Sequence, residues 1–183
     1  MNIFYLSNNI DECVKMHNDS HVRKMVIEYP QLLSTAHRIL DGTMYYGRTK
    51  NNRKIKRWRM DDPVMEEGLM KASHVAHPSN LWVRSSNNNY TWLFELWQAL
   101  LDEYAYRYGK EHACRGYTEL LRSLPKNIPV GYKTQPTPAM PDDVKNSCSV
   151  TAYRDYYIKY KQHLATWKGK VNGRSTPEWY VMA

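Results

Sequence analysis

The sequence predicts an all-α fold: one compact helical bundle spanning residues 1–183, with long basic and proline-rich loops. Two stretches carry that expectation. Residues 17–42, HNDSHVRKMVIEYPQLLSTAHRILDG, open on Asn18, Asp19 and Ser20, each able to cap a helix that begins near His21. They close on Asp41-Gly42, a glycine stop. The second, Tyr90 to Tyr108, carries Trp92, Leu93, Leu96, Trp97, Leu100, Leu101 and Tyr104 at helical spacing before Gly109. A chain of 183 residues is long enough for a single domain with a sizeable core.

The remaining elements follow in order. Ile3 to Leu6 reads as a strand stub or an extended lead-in packed under the core, and Asn9 can cap a short helix from Ile10 to about Met16. In the helix after His21, Val22, Met25, Val26, Tyr29, Leu33, Ala36 and Leu40 share one broad apolar face. His21, Lys24, Glu28, Gln31, Thr35 and Arg38 form a second, polar stripe, expected to be solvated. Pro30 should kink the helix just after Glu28. Residues 43–62 show no helical stripe and read as a basic arm. Residues 64–73 suggest a helix ended by His74 to His77, with Pro78 opening the next at its first position. Asn87, Asn88 and Asn89 supply a cap for the long helix at 90–108. Glu111 to Leu124 reads as helix with Gly116 as a weak point. Pro125 to Pro141 carries five prolines and reads as a stiff loop. Ser149 caps a helix from about Val150 to Trp167, and residues 169–183 form an irregular tail. No internal repeat is evident.

Composition narrows the function. Twenty-six Lys and Arg against 18 Asp and Glu leave a net charge of +8, which points to a polyanion: nucleic acid, or an anionic membrane surface. Seven Lys or Arg lie between Arg48 and Arg59, interleaved with Trp58 and preceded by Tyr45 and Tyr46. That mixture suits phosphate contact and base stacking better than plain solvation. Arg53, Lys54 and Arg57 are the arm's candidate DNA contacts. In the last helix Arg154, Ile158 and Lys161 fall near one line, with Trp167 at its end, a second surface suited to a phosphodiester backbone. Three cysteines without a CxxC pair argue against a disulfide framework and for a reducing interior. The start has no basic region and only a short apolar run, and no later segment is long enough to span a bilayer. The expectation is a soluble protein of the cytoplasm, with no membrane partner.

For chemistry, no GxSxG, Cys-His signature, P-loop or GxGxxG is present. His17 and His21, or His74 and His77, have spacings at which imidazoles can share a metal, but no cysteine or HExxH supports either pair. No metal or cofactor is expected. What remains are amines and a carboxylate. An unprotonated amine, from Lys24 or the Met1 α-amine, attacks an electrophilic carbon while Glu28 manages protons. An α-amine ordinarily titrates near neutrality, whereas a lysine needs a large downward shift to serve.

The run His21-Val-Arg-Lys-Met-Val-Ile-Glu28-Tyr-Pro30-Gln, closed by Asp41-Gly42, resembles the catalytic helix of the bacteriophage pyrimidine-dimer DNA glycosylases of the endonuclease V type. Ser73-His74-Val75, Tyr153-Arg154 with Lys161, and the aromatic end Trp179-Tyr180 resemble further segments of that family. The resemblance implies an all-α fold without metal, and a DNA repair enzyme that excises a base. Attack of an N-terminal amine on C1′ of a damaged or modified nucleotide gives an imine, followed by strand cleavage as an AP lyase. Glu28 is then the acid/base residue, with Met1, Lys24 and His21 completing the catalytic set and Arg23 among the DNA contacts. The implied partner is double-stranded DNA with a flipped nucleotide, met by a monomer inside the host cell. Two departures stand out. Asn2 is bulky for methionine removal, which leaves Met1 or Lys24 as nucleophile. The family's basic residues beside its catalytic Glu are only partly matched: Arg23 and Lys24 precede Glu28, but Tyr29 and Gln31 follow it. The alternatives are an enzyme of the same fold acting on a modified nucleotide without strand cleavage, and a non-catalytic nucleic-acid-binding protein.

Overall fold

The core is built on a central helix buried on nearly all sides and a long apolar helix laid against it. The computed structural model describes residues 1–182. Its helices are α1 (Ile10–Met16), α2 (Asp19–Asp41), α3 (Pro63–Gly68), α4 (Pro78–Val83), α5 (Asn87–Tyr108), α6 (Thr118–Arg122), α7 (Ser149–Tyr160) and α8 (Glu178–Val181). Between α2 and α3 lies a hairpin of β1 (Thr43–Arg48) and β2 (Lys54–Arg59). α2 packs mainly on α5, with α1 and α4 against their flanks.

The hairpin overturns the all-α expectation: the fold is mostly helical but mixed, and residues 43–62 contain a two-stranded antiparallel sheet rather than a plain loop. The period-2 signal is hidden in the sequence because both faces of the ribbon are polar. Tyr45, Arg57 and Arg59 share one face; Tyr46, Lys54 and Lys56 share the other. Cross-strand pairs replace an apolar face, with Lys54 Nζ 3.9 Å from the Tyr46 ring centre and the Arg59 guanidinium 5.2 Å from that of Tyr45. Asn52 takes the left-handed conformation at φ 59° in the turn. Gly42 joins α2 to β1 because a Cβ there would stand 2.6 Å from the Arg38 carbonyl oxygen.

α2 is capped by Asn18, whose side chain accepts the His21 N–H at 2.8 Å. Its polar stripe is not solvated: His21, Thr35 and Arg38 are buried, and Lys24 is the member that reaches solvent well, at 63 % exposure. Arg38 is buried because it bonds five oxygens around it. It donates to the carbonyls of Trp58, Glu66, Leu69 and Met70 and to the Glu66 carboxylate at 2.6 Å, fastening the hairpin and α3 to α2. Pro30 does not break the helix, which runs unbroken from Asp19 to Asp41. Lacking an N–H, it leaves the Val26 carbonyl without its helical donor. The Trp97 indole of α5 supplies one at 3.1 Å.

The chain ends are pinned rather than loose. Ile3 to Ser7 is an extended, non-strand segment buried beside α2, and the Phe4 ring stacks on His21 at 3.9 Å. Arg107, fully buried, donates to Asp19, to Glu103 and to the carbonyls of Lys15 and His17. Glu103 also binds Arg174 of the tail, and Asp19 accepts the Gly169 N–H. The expected tail is therefore part of the fold. The proline-rich segment is a strap, held by Asp41 at Lys126 and Asn127 and by Asn87, Asn88 and Asn89 at Gly131 and Thr134. The three asparagines clamp this strap, and Ser86 caps α5. The expected helix at 111–124 shrinks to a 3-10 turn at Ala113–Tyr117 and α6, and α7 stops at Tyr160. Cys13 and Cys114 are buried free thiols, and Cys148 is half-buried and free. No helix among the described residues is long and apolar enough to cross a membrane.

Two consequences of this core can be measured. Replacing Trp97 with Phe deprives the Val26 carbonyl of a donor and should cost about 1–3 kcal/mol. In a Pro30→Ala background the helix supplies that donor itself, so the same replacement should cost less. Chemical denaturation of the four proteins reads the coupling, and strict additivity would refute the compensation. The second concerns pH. Burial lowers the imidazoles of His17 and His37 from 6.5 to about 4, and that of His21 to about 2. Between pH 6.5 and 4 the unfolded chain takes up protons that the folded chain refuses, so stability is full above that window and falls with pH through it. His17 and His37 should each remove about 3 kcal/mol by pH 4, at about 1.4 kcal/mol per pH unit. Thermal melts from pH 7.5 to 4.5 should drop steadily; a flat profile would contradict neutral buried imidazoles.

Candidate active site

The Met1 amine lies 3.6 Å from Glu28 Oε2, and Lys24 Nζ lies 3.3 Å from Glu28 Oε1. One carboxylate thus faces two amines, one at each oxygen. Sequence spacing alone gives the Lys24 contact, one helical turn away. The Met1 contact is tertiary and depends on the buried lead-in. Phe4 N–H donates to the Tyr29 hydroxyl at 3.2 Å, and Tyr29 directly follows Glu28. The Tyr29 hydroxyl donates to His17 Nε2, whose Nδ1–H donates to the Cys13 carbonyl at 2.7 Å. Arg154 holds the Leu6 carbonyl at 2.9 Å. Each bond fixes the segment that delivers Met1.

The two amines differ in setting. The Met1 side chain is only 4 % exposed and Glu28 15 %. Glu28 Oε2 is buried without a hydrogen-bond partner, so its nearest charged neighbour is the amine. Lys24 is 63 % exposed to solvent.

Loop 73–77 forms the far wall. Ser73 Oγ is 4.0 Å from the Met1 sulfur, and Ser73 N–H reaches the Thr35 hydroxyl. His74 is exposed and sits in the left-handed region at φ 49°. That strained turn is held by buried Asn80, whose amide donates to the carbonyls of Ser73 and His74 at 2.9 and 3.0 Å. His77 caps α4 through Nδ1, which accepts the Ser79 N–H at 3.2 Å. Burial, then the Met1 amine and His74, hold the His77 imidazole below its ordinary range, with Glu28 opposing. In the sequence His74 and His77 stand out as a metal-spaced pair at the end of a helix, with His74 also part of the Ser73-His74-Val75 resemblance. The His-Pro cap at residue 77 signals the helix start but not the nearness to Met1, which is purely tertiary. Among the described residues no three His, Cys, Asp or Glu gather in a metal-holding cluster.

Other expected residues separate into two groups. His21 is not in the site: it is buried, neutral, stacked on Phe4 and 2.6 Å from the Tyr157 hydroxyl. Trp167 is also core, with its indole donating to the Met16 carbonyl. Both read as working residues in the sequence because the lead-in and the helices that cover them are remote along the chain. Arg154 is spent on Leu6 and lies over Trp179, and Lys161 stands past the end of α7 over Tyr156. Arg23, Arg53 and Lys54 are exposed, and Arg57 is half-buried. None of the seven basic residues of the hairpin forms an ion pair with a carboxylate among the described residues.

Between β2 and loop 72–76 lies an open groove of about 550 Å³. Ile55, Lys56, Arg57, Trp58, Ala72 and Val75 line it together with Ser73 and His74, and Ser73 reaches Met1. Compared with known proteins, the chain matches no family model, no curated protein and no solved structure.

Proposed function

We propose that the protein is a DNA N-glycosylase with AP-lyase activity, using the Met1 amine as nucleophile and Glu28 as its acid/base partner. The observation that carries this reading is the amine held 3.6 Å from a buried carboxylate oxygen that has no hydrogen-bond partner. The unpaired cations of the hairpin support duplex DNA as the substrate.

Glu28 first takes a proton from the Met1 ammonium, and the freed nitrogen forms a bond to C1′ as the C1′–N bond to the base breaks. The base leaves with that electron pair and takes up a proton. An N–H proton is lost, the C1′–O4′ bond opens with a proton delivered to O4′, and an imine results. Glu28 carries these protons, since its carboxylate faces the nitrogen. Removal of a C2′ proton then expels the 3′ phosphate. Met1 is favoured over Lys24 because its position is fixed by burial, whereas Lys24 must lose side-chain freedom on each turnover.

Two experiments test the reading. Borohydride with a panel of damaged, modified and abasic duplexes should trap a DNA adduct, mapped by digestion to Met1. Glu28→Gln should lower turnover by roughly 10²- to 10⁴-fold. Mapping to Lys24 would move the nucleophile. Base release without an adduct would replace the amine by water, and DNA binding without chemistry on any duplex would reduce the protein to a binder. Separately, combining Arg53→Gln, Lys54→Gln and Arg57→Gln should weaken DNA binding and flatten its dependence on log salt by about 2 to 3 units, near 0.9 for each phosphate no longer neutralised. An unchanged slope would take the hairpin off the DNA.

A further inference from the structure

We infer that the groove between β2 and loop 72–76 is a binding site for a single extrahelical nucleobase of the DNA strand, with Trp58 as its stacking platform. This rests on the DNA-glycosylase reading and adds to it the place where a base is held. Four observations meet there. The groove is concave and lined by Ile55, Ala72 and Val75, which offer apolar contact to a planar face laid in it. Trp58, within β2 of the polar ribbon, is half-buried, and its indole N–H donates to no protein atom among the described residues, unlike the indoles of Trp97 and Trp167. It therefore offers both a π-face and an unspent donor. Lys56 and Arg57, which also line the groove, have no carboxylate partner among the described residues and complement the phosphates on either side of an extruded nucleotide. The inner wall is Ser73 and His74, and Ser73 meets Met1.

The groove is also rigidly built. Arg38 pins the Trp58 carbonyl on one side, and Asn80 pins Ser73 and His74 on the other. A base entering it meets walls that need not be ordered at the moment of binding.

The probe is a duplex carrying one 5-iodouracil opposite guanine, because a mismatched base is cheaper to extrude. Irradiation of the complex should give a crosslink that digestion maps to Trp58, lost in Trp58→Ala and largely kept in Trp58→Phe. Affinity for this duplex should fall about tenfold in Trp58→Ala, and several-fold more than affinity for an abasic duplex, since the stacked base contributes the difference. A crosslink outside β2 and loop 72–76, or equal loss on both duplexes, would overturn the site. Melting temperatures exclude simple unfolding of the variants. Borohydride trapping of wild-type protein on the abasic duplex, which offers no base, reports the amine chemistry by itself. Trapping without a Trp58 crosslink would sink the groove and leave the glycosylase reading. The crosslink without trapping would do the reverse.

Discussion

The structure depends on the burial of five residues, Ile3 to Ser7, that form no helix and no strand. An extended segment in a core leaves its backbone groups unpaired unless side chains satisfy them. Side chains satisfy four of them: Tyr29 takes the Phe4 N–H, Cys13 Sγ takes the Leu6 N–H and returns its own hydrogen to the Phe4 carbonyl, and Arg154 takes the Leu6 carbonyl. Three helices, α1, α2 and α7, thus each hold the segment. The same contacts position Met1, whose amine thereby lies beside Glu28 while its sulfur meets Ser73. The buried imidazoles belong to this arrangement. His17 anchors Tyr29 and His21 carries the Phe4 ring, and both are kept neutral by the burial that the segment creates.

Two buried arginines do for the periphery what that segment does for the centre. Arg38 gathers the hairpin, α3 and the following loop onto α2, and Arg107 gathers α1 and the N-terminus of α2 onto α5. Most of their acceptors are backbone carbonyls. An arginine in such a place orders loops that bury little apolar surface of their own, at the desolvation cost that a planar fork of donors can offset only if nearly all are used. Five bonds from Arg38 and four from Arg107 meet that condition.

What is legible in the sequence follows from this division. α2 and α5 are readable because Asn18, Gly109 and the apolar spacing of Trp92 to Leu101 are local signals. Glu28 and Lys24 are readable as neighbours for the same reason. The hairpin is not, because its alternating residues are cationic or aromatic on both faces and stabilise it by Lys54–Tyr46 and Arg59–Tyr45 contacts instead of a buried side. The polar stripe of α2 misleads because a stripe ending in Arg38 reads as solvated, while the oxygens that bury it lie 20 to 32 residues away in the chain. His21 and Trp167 resemble working residues since Phe4, Tyr157 and Met16, which enclose them, are invisible in local pattern.

The asymmetry around Glu28 is the last consequence of the lead-in. A carboxylate paired with Lys24 alone would be an ordinary exposed helix pair of little energetic weight. Adding the Met1 amine on the buried side changes its character. The carboxylate then has one oxygen turned to the exposed lysine, and one turned inward to a nitrogen it does not quite hydrogen-bond, at 3.6 Å. In the proposed chemistry a small movement of this side chain, 15 % exposed, would close that gap. The Met1 nitrogen is placed by the core while the carboxylate beside it keeps some side-chain freedom, and the amine chemistry proposed above would draw on that division between a fixed nitrogen and a movable acid/base group.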